Sequence, residues 1–242
     1  MAQQMLILIP GLLCDAAVWT AQAAALEDLA RIRIAEHGLR DSLGAMAEAI
    51  IARAPPRFAV AGHSMGGRVA LEVVRRAGSR VTGLALLDTG YLPVASGDAG
   101  ERERAERHKL LELARSEGMR ALGRRWLRLP MVYIDRLSDT QLVEDILDMF
   151  ERKSYAVFEA QVRALLARPD ASGLLPTIQC STLVLCGRDD AWSQLQAHRE
   201  MAALIPRSTL ISIPECGHMA TMERPQAVSQ AMRSWLESVG PT

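Results

Sequence analysis

The amino-acid sequence predicts an α/β fold: a mostly parallel sheet of about six strands, helices on both faces, and a helical cap insertion. Three observations carry that prediction. Short apolar runs alternate with stretches of helical period, the pattern of repeated βα units. A serine stands between one such run and one such stretch, inside Gly62-His63-Ser64-Met65-Gly66. The alternation then stops after Asp88 and resumes at Thr182.

Met5–Ile9 is a continuous apolar run ended by Pro10-Gly11, which predicts a strand buried on both faces. Asp15 is placed to cap a helix carrying Val18, Trp19 and Leu26. Arg31–Ala35 alternates as a second strand, and 42–54 has helical period through Leu43, Met46, Ala47, Ile50 and Ile51 until Pro55-Pro56 stops it. Phe58–Ala61 reads as a strand, Gly67–Arg76 as a helix and Val81–Leu87 as a strand. Residues 91–172 contain helical stretches near 101–115, 119–128, 139–152 and 154–167, the third opening on a Ser138-x-x-Gln141 capping box. Thr182–Cys186 and Thr209–Ile213 are strands again, separated by a helix near 194–204, and a last helix runs from Pro225 to Ser238. The organisation expected is a core of residues 1–90 and 173–242, with residues 91–172 as the cap.

The chain has 242 residues, 49% of them hydrophobic, enough for one compact domain or a core with a modest insertion. Its 28 basic and 28 acidic side chains cancel, which removes the electrostatic argument for nucleic acid or an acidic membrane. No basic n-region precedes the first apolar run and no long apolar segment follows, so neither a signal peptide nor a membrane span is expected. Cys14, Cys180, Cys186 and Cys216 form no C-x-x-C pair, which predicts reduced thiols and a cytoplasmic protein. Nothing in the residue pattern indicates a metal or organic cofactor. A small-molecule substrate is the partner expected, and the oligomeric state is not readable.

A strand, a sharp turn and a helix around Ser64 would hold its hydroxyl clear of the backbone, with a helix N-terminus aimed at developing negative charge. An acyl-transfer serine needs a base, an acid to orient it and two backbone donors for an oxyanion. His218 is the candidate base, because Gly217-His218 follows the last strand by a short loop and so reaches the same sheet edge as Ser64. His63 points elsewhere, and His37, His108 and His198 are expected on solvated surfaces. Asp190, beyond the strand ending in Cys186-Gly187, is the preferred acid; Asp189 and Asp88 are alternatives. The Met65 and Leu12 amides are the candidate donors, Gly11 permitting the loop to turn the latter inward.

Gly-His-Ser-Met-Gly-Gly, the order Ser64, Asp190, His218 and the helical insert between Asp88 and Thr182 together resemble the α/β-hydrolase fold superfamily over nearly the whole chain. Matching segments are Leu8-Ile9-Pro10-Gly11-Leu12, Gly187-Arg188-Asp189-Asp190 and Cys216–Pro225, the last with Glu223 and Pro225 spaced as in the family. Many relatives carry His-Gly where this chain has Pro10-Gly11, and many have a hairpin before the first parallel strand, for which there is no room here. The resemblance implies a serine hydrolase acting on a carboxylic ester through an acyl-enzyme. Carbon–carbon bond hydrolysis or a lyase reaction on the same triad is the alternative, as is a non-hydrolytic ligand receptor.

Substrate choice is expected to reside in the insert, where Trp126, Met131, Met149, Phe158 and Val162 lie on apolar faces and either line a pocket or pack the insert onto the core. Arg102, Arg104, Arg107, Arg124, Arg125 and Arg128 form either an anion-binding patch or, with Glu103 and Glu106 interleaved, a solvated ion-paired face. Cys14 and Cys216 flank the two site loops and read as apolar filler or as redox-active thiols.

Overall fold

In the computed structural model, which describes residues 3–239, the six strands are β1 (Gln4–Ile9), β2 (Ala30–Ile34), β3 (Phe58–His63), β4 (Val81–Leu87), β5 (Ser181–Gly187) and β6 (Ser208–Ile213). They form one sheet in the order β2-β1-β3-β4-β5-β6, with every neighbouring pair parallel. The central strands owe their unbroken apolar character to burial on both faces: Leu6, Leu8 and Ile9 in β1, and Leu84, Leu86 and Leu87 in β4, are fully buried. The edge strand β2 instead alternates, with Arg31 and Arg33 exposed, which also guards an open edge against pairing with another chain.

Helices α1 (Thr20–Leu26), α2 (Leu43–Ile51) and α3 (Met65–Ala77) connect the first strands. Between β4 and β5 come α4 (Asp98–Glu117), α5 (Met119–Leu127), α6 (Thr140–Glu151) and α7 (Tyr155–Leu166), then α8 (Leu195–Leu204), α9 (Ala220–Glu223) and α10 (Pro225–Val239). Helix α1 packs on α10 while α2 packs on α3, so the sheet is covered on both faces. No described helix is long and apolar enough to cross a membrane.

Local chemistry sets the boundaries. Asp15 accepts a hydrogen bond from Ala17 N at 2.9 Å and caps a short 3-10 turn, Ala16–Trp19, that leads into α1. Ser42 caps α2 through Ala45 N, but α2 ends at Ile51, three residues before the point set by Pro55, because Ala52–Ala54 already turn away. The capping box at Ser138 is not formed. Ser138 lies in a 3-10 turn and donates to Asp135 O, while the carboxylate of Asp139 caps Leu142 N one residue later.

The order of the strands locates the site. The chain passes from β1 outward to β2 and returns to the other side of β1 as β3, so the connections leaving the carboxyl ends of β1 and β3 diverge and open a crevice between them. Leu12 follows β1 there, and Ser64 follows β3.

Candidate active site

Ser64 is the residue between β3 and α3, and its backbone has φ 55° and ψ −120°, a conformation that a non-glycine residue adopts only when its surroundings impose it. The surroundings do so from three sides. Ser64 N donates to Leu87 O at 2.9 Å, the Thr89 hydroxyl donates to Ser64 O at 2.7 Å, and Gly67 N donates to the same carbonyl at 3.0 Å. Gly62 and Gly66 are required by close approach: a Cβ on Gly62 would collide with the Gly66 carbonyl, and one on Gly66 would collide with the carbonyl of Ile9.

His218 meets the serine from the loop after β6. Its Nε2 is 2.8 Å from Ser64 Oγ, and its Nδ1 is 2.8 Å from Asp190 Oδ2. Asp190 in turn accepts Trp192 N and Ser193 N on Oδ1, each at 2.8 Å. Burial alone would raise the Asp190 carboxyl, but the His218 imidazole and the two amides outweigh it and hold the group below its ordinary range. Asp190 is therefore ionised at neutral pH and fixes the imidazole with Nδ1–H toward itself, leaving Nε2 to accept from the serine hydroxyl.

The two alternative acids go elsewhere. Asp189 is exposed and closes a turn, accepting Cys216 N at 3.4 Å and donating its own N–H to Cys216 O. Asp88, at the end of β4 with φ 47°, is fully buried and accepts Gly187 N at 2.9 Å and Ala220 N at 3.3 Å. It thus ties the loop after β5 to the histidine loop. Burial, then the charge of Asp190, raises Asp88 well above the usual carboxylate range, so a second negative charge beside the Asp190–His218 pair is avoided.

Leu12 and Met65 both border the cavity above Ser64, and the backbone N–H of neither donates to another group among the described residues. The loop carrying Leu12 is held by residues whose importance the sequence pattern did not reveal. Leu13, at φ 61°, donates its N–H to Gln161 Oε1 of α7 at 2.8 Å, and His37 Nε2 donates to Pro10 O at 2.9 Å. His37 thus braces the loop from the end of β2, in a chain that has proline where many relatives have histidine. His37 is not a surface group, and neither is His198: both are buried, because each satisfies a backbone group near the site. His198 accepts Thr89 N on Nε2 at 3.0 Å and donates from Nδ1 to Gln194 O at 3.1 Å. His63 lies beneath His218 and donates to its carbonyl oxygen at 2.8 Å. Burial pushes His37 and His63 down to about 4, so both are neutral props at physiological pH.

The histidine loop has a further anchor in Glu223. Its buried carboxylate accepts Gly217 N at 3.0 Å, Met219 N at 3.0 Å and Tyr133 N at 2.8 Å, while His218 N donates to Met131 O at 2.8 Å. The loop before α6 and the histidine loop are therefore joined by backbone hydrogen bonds.

A cavity of about 440 Å³ opens over Ser64 and is bordered by Trp126, Leu110, Leu129, Leu165 and Trp192, among others. Of the predicted lining residues Trp126 takes part, and Phe158 and Val162 line a separate cavity of about 10 Å³ that shares Leu12, Trp126 and Trp192 with it. Met131 and Met149 do not: both are buried in packing, Met131 serving through its carbonyl oxygen. Cys14 and Cys216 are buried free thiols, and burial raises both far from the thiolate range, Cys14 to about 12, which suits apolar filler rather than redox chemistry. The signal that identifies the missed Gln161 is a polar side chain on an apolar helix stripe, among Phe158, Val162 and Leu165.

Comparison with known proteins identifies the family and the fold. The chain is 24% identical to a pimeloyl-[acyl-carrier protein] methyl ester esterase of Nitrosomonas europaea over 91% of each protein. Among solved structures it superposes with a TM-score of 0.86 on a thermophilic esterase from Thermogutta terrifontis, at 27% identity, covering 99% of this chain and 92% of that one. It also matches the fold of an enol-lactonase from Burkholderia xenovorans, with a TM-score of 0.84, 21% identity and coverage of 98% and 92%. The model of the alpha/beta hydrolase family matches residues 6–231, which spans the elbow, the loops after β1 and β5, and the histidine loop: the chain belongs to the alpha/beta hydrolase family.

Proposed function

We propose that the protein is a serine hydrolase that cleaves a small-molecule carboxylic ester through an acyl-enzyme, with residues 91–172 acting as a cap over the site formed by the core. The observation that carries this reading is the unbroken line of two 2.8 Å contacts from Asp190 through His218 to Ser64. Ser64 is the nucleophile, His218 the general base and acid, and Asp190 the carboxylate that orients it. As Ser64 Oγ bonds to the carbonyl carbon, His218 Nε2 takes the hydroxyl proton and the carbonyl π electrons move onto oxygen. The amides of Leu12 and Met65 hold that oxyanion. Collapse of the tetrahedral species re-forms the carbonyl and expels the alkoxide, which takes the proton from His218. Water then repeats the sequence on the acyl-enzyme, releasing the carboxylic acid and restoring Ser64.

Esterases among the relatives support this reaction class, and the four free thiols suit a reducing compartment such as the cytoplasm. The test is hydrolysis of p-nitrophenyl esters by the purified protein, with Ser64→Ala as control. Turnover that Ser64→Ala abolishes is the expected result. Full activity in that variant sinks the assignment.

A further inference from the structure

The cavity over Ser64 has an unusual second wall. Arg68 rises from the first turn of α3, Arg102 and Arg107 from α4, Arg125 from α5, and Arg168 from the segment after α7, and all five border the cavity. Two of them converge on a single carboxylate. Glu103 accepts Arg107 Nη2 at 3.1 Å and is gripped by Arg168 at 2.7 Å through both Nη1 and Nη2. Arg68, on the same cavity, receives no carboxylate among the described residues: its one side-chain hydrogen bond is from Nη1 to Leu92 O at 2.8 Å. The Arg68 guanidinium lies against Gly90: a Cβ there would come within 2.8 Å of Nη2. Glu106, the remaining ionised carboxylate on this wall, is engaged outward by Lys109 at 2.6 Å.

Positive charge is therefore in excess at this spot, in a chain whose net charge is zero. Burial, followed by repulsion from Arg168 that Glu103 only partly offsets, pushes the Arg68 guanidinium down to about 9. Arg107 is buried and lies with its guanidinium 5.8 Å from the Trp192 ring centroid, so it cannot swing out to solvent without breaking that contact and the Glu103 pair. Buried or half-buried guanidiniums in excess over their carboxylates are stabilised by an anion supplied from outside, and a planar carboxylate matches the guanidinium fork.

The geometry points to a substrate that carries a free carboxylate: the half-ester of a dicarboxylic acid, with its ester carbonyl at Ser64 and its carboxylate on the cluster of Arg68, Arg107 and Arg168. This rests on the ester-hydrolase reading above and adds the substrate class to it. The exposed Arg102 and Arg125 would draw the anion toward the mouth, so kcat/KM should fall with added salt.

The test compares mono-p-nitrophenyl succinate, glutarate and adipate with p-nitrophenyl butyrate, valerate and hexanoate, and titrates Ser64→Ala with the three dicarboxylates, with hexanoate and with inorganic phosphate by calorimetry. At least one acidic ester should exceed its neutral counterpart by about 10- to 100-fold in kcat/KM, the value of one or two charge-assisted hydrogen bonds. Arg68→Gln should bring that ratio toward unity and Arg68→Lys should retain part of it. If all three acidic esters are no better than the neutral ones while the neutral ones turn over, the carboxylate proposal is wrong and the ester reading stands. If the wild type hydrolyses no ester but Ser64→Ala binds a dicarboxylate in preference to hexanoate, the ester reading fails and the anion site stands. Phosphate binding more tightly than every dicarboxylate overturns the choice of carboxylate. Should Arg68→Gln not fold, the wild-type ratio and the Ser64→Ala titrations decide alone.

Discussion

The two walls of the cavity are built by different physics. The sheet-side wall places Ser64, His218, Asp190 and the Leu12 and Met65 amides at strand ends, and backbone hydrogen bonds hold nearly every one of them. The helix-side wall is made of long side chains from α4, α5 and the end of α7, held by one shared glutamate and by packing. The first wall also keeps its histidine props neutral, whereas the second concentrates charge. Rigid dipoles serve a fixed chemical step, and an adaptable charged surface serves the choice of what reaches it. If that division holds, substitutions on the sheet side should lower turnover on every substrate, and those on the helix side should change the ranking among substrates.

The largest effects belong to the sheet side. Ser64→Ala and His218→Ala should each lower kcat on a p-nitrophenyl ester by about 10⁴-fold or more, measured as initial rates with active-site-titrated protein. Asp190→Asn should cost about 10³- to 10⁴-fold, because an amide cannot impose the same tautomer on His218. Asp189→Asn should change the rate by no more than about twofold, since an exposed turn residue contributes little. An equal loss in both aspartate variants would break the distinction between them.

That pair of aspartates also shows where the sequence was informative. Both follow the same strand, but only Asp190 is three residues beyond Gly187, and the turn of Gly187–Asp190 brings that residue back over the sheet. Motif spacing brought Ser64, Asp190, His218, Leu12 and Met65 to one sheet edge because the covalent chain carries each a fixed few residues past a strand end. The all-parallel sheet was legible for a similar reason: strands buried on both faces are continuous apolar runs. His37 and His198 were not, since a polar side chain satisfying a distant backbone group leaves no local pattern there; Gln161 left only the weak sign of a polar residue on an apolar helix stripe. The arginines were half legible. Arg107 stood in the suspected cluster, but its partner Arg168 is 61 positions away and Arg68 lies in the elbow helix, and only helix packing joins them. Arg104, Arg124 and Arg128 of the same cluster are exposed and outside the cavity, as a solvated face would have them.

Gln161 is where the two walls touch, so it should have an intermediate effect. Gln161→Leu leaves Leu13 N–H buried without a partner, which should lower stability by about 1–3 kcal/mol in urea unfolding. It should lower kcat on neutral and acidic esters alike, by up to about 100-fold if the loop moves by an ångström. A change confined to one substrate class would place Gln161 with the helix-side wall instead.

The smallest effect concerns Asp88. Its folded-state value is raised, so the folded protein binds a proton that the unfolded chain has released, and stability should decline as pH rises from the ordinary carboxylate range through the folded value. The slope from this one group is at most about 1.4 kcal/mol per pH unit. Asp88→Asn should remove it, read as a flatter dependence of the urea midpoint on pH. An unchanged slope would mean that Asp88 ionises normally beside Asp190.

In the proposed reaction the serine at the elbow carries the chemistry. Treatment with a fluorophosphonate followed by peptide mass spectrometry tests it most directly. One covalent adduct per chain on the peptide containing Ser64, with activity lost in step and labelling much slower in His218→Ala, is the predicted result. An adduct on another residue, or a fully labelled Ser64 in a protein that still turns over its substrate, would contradict it.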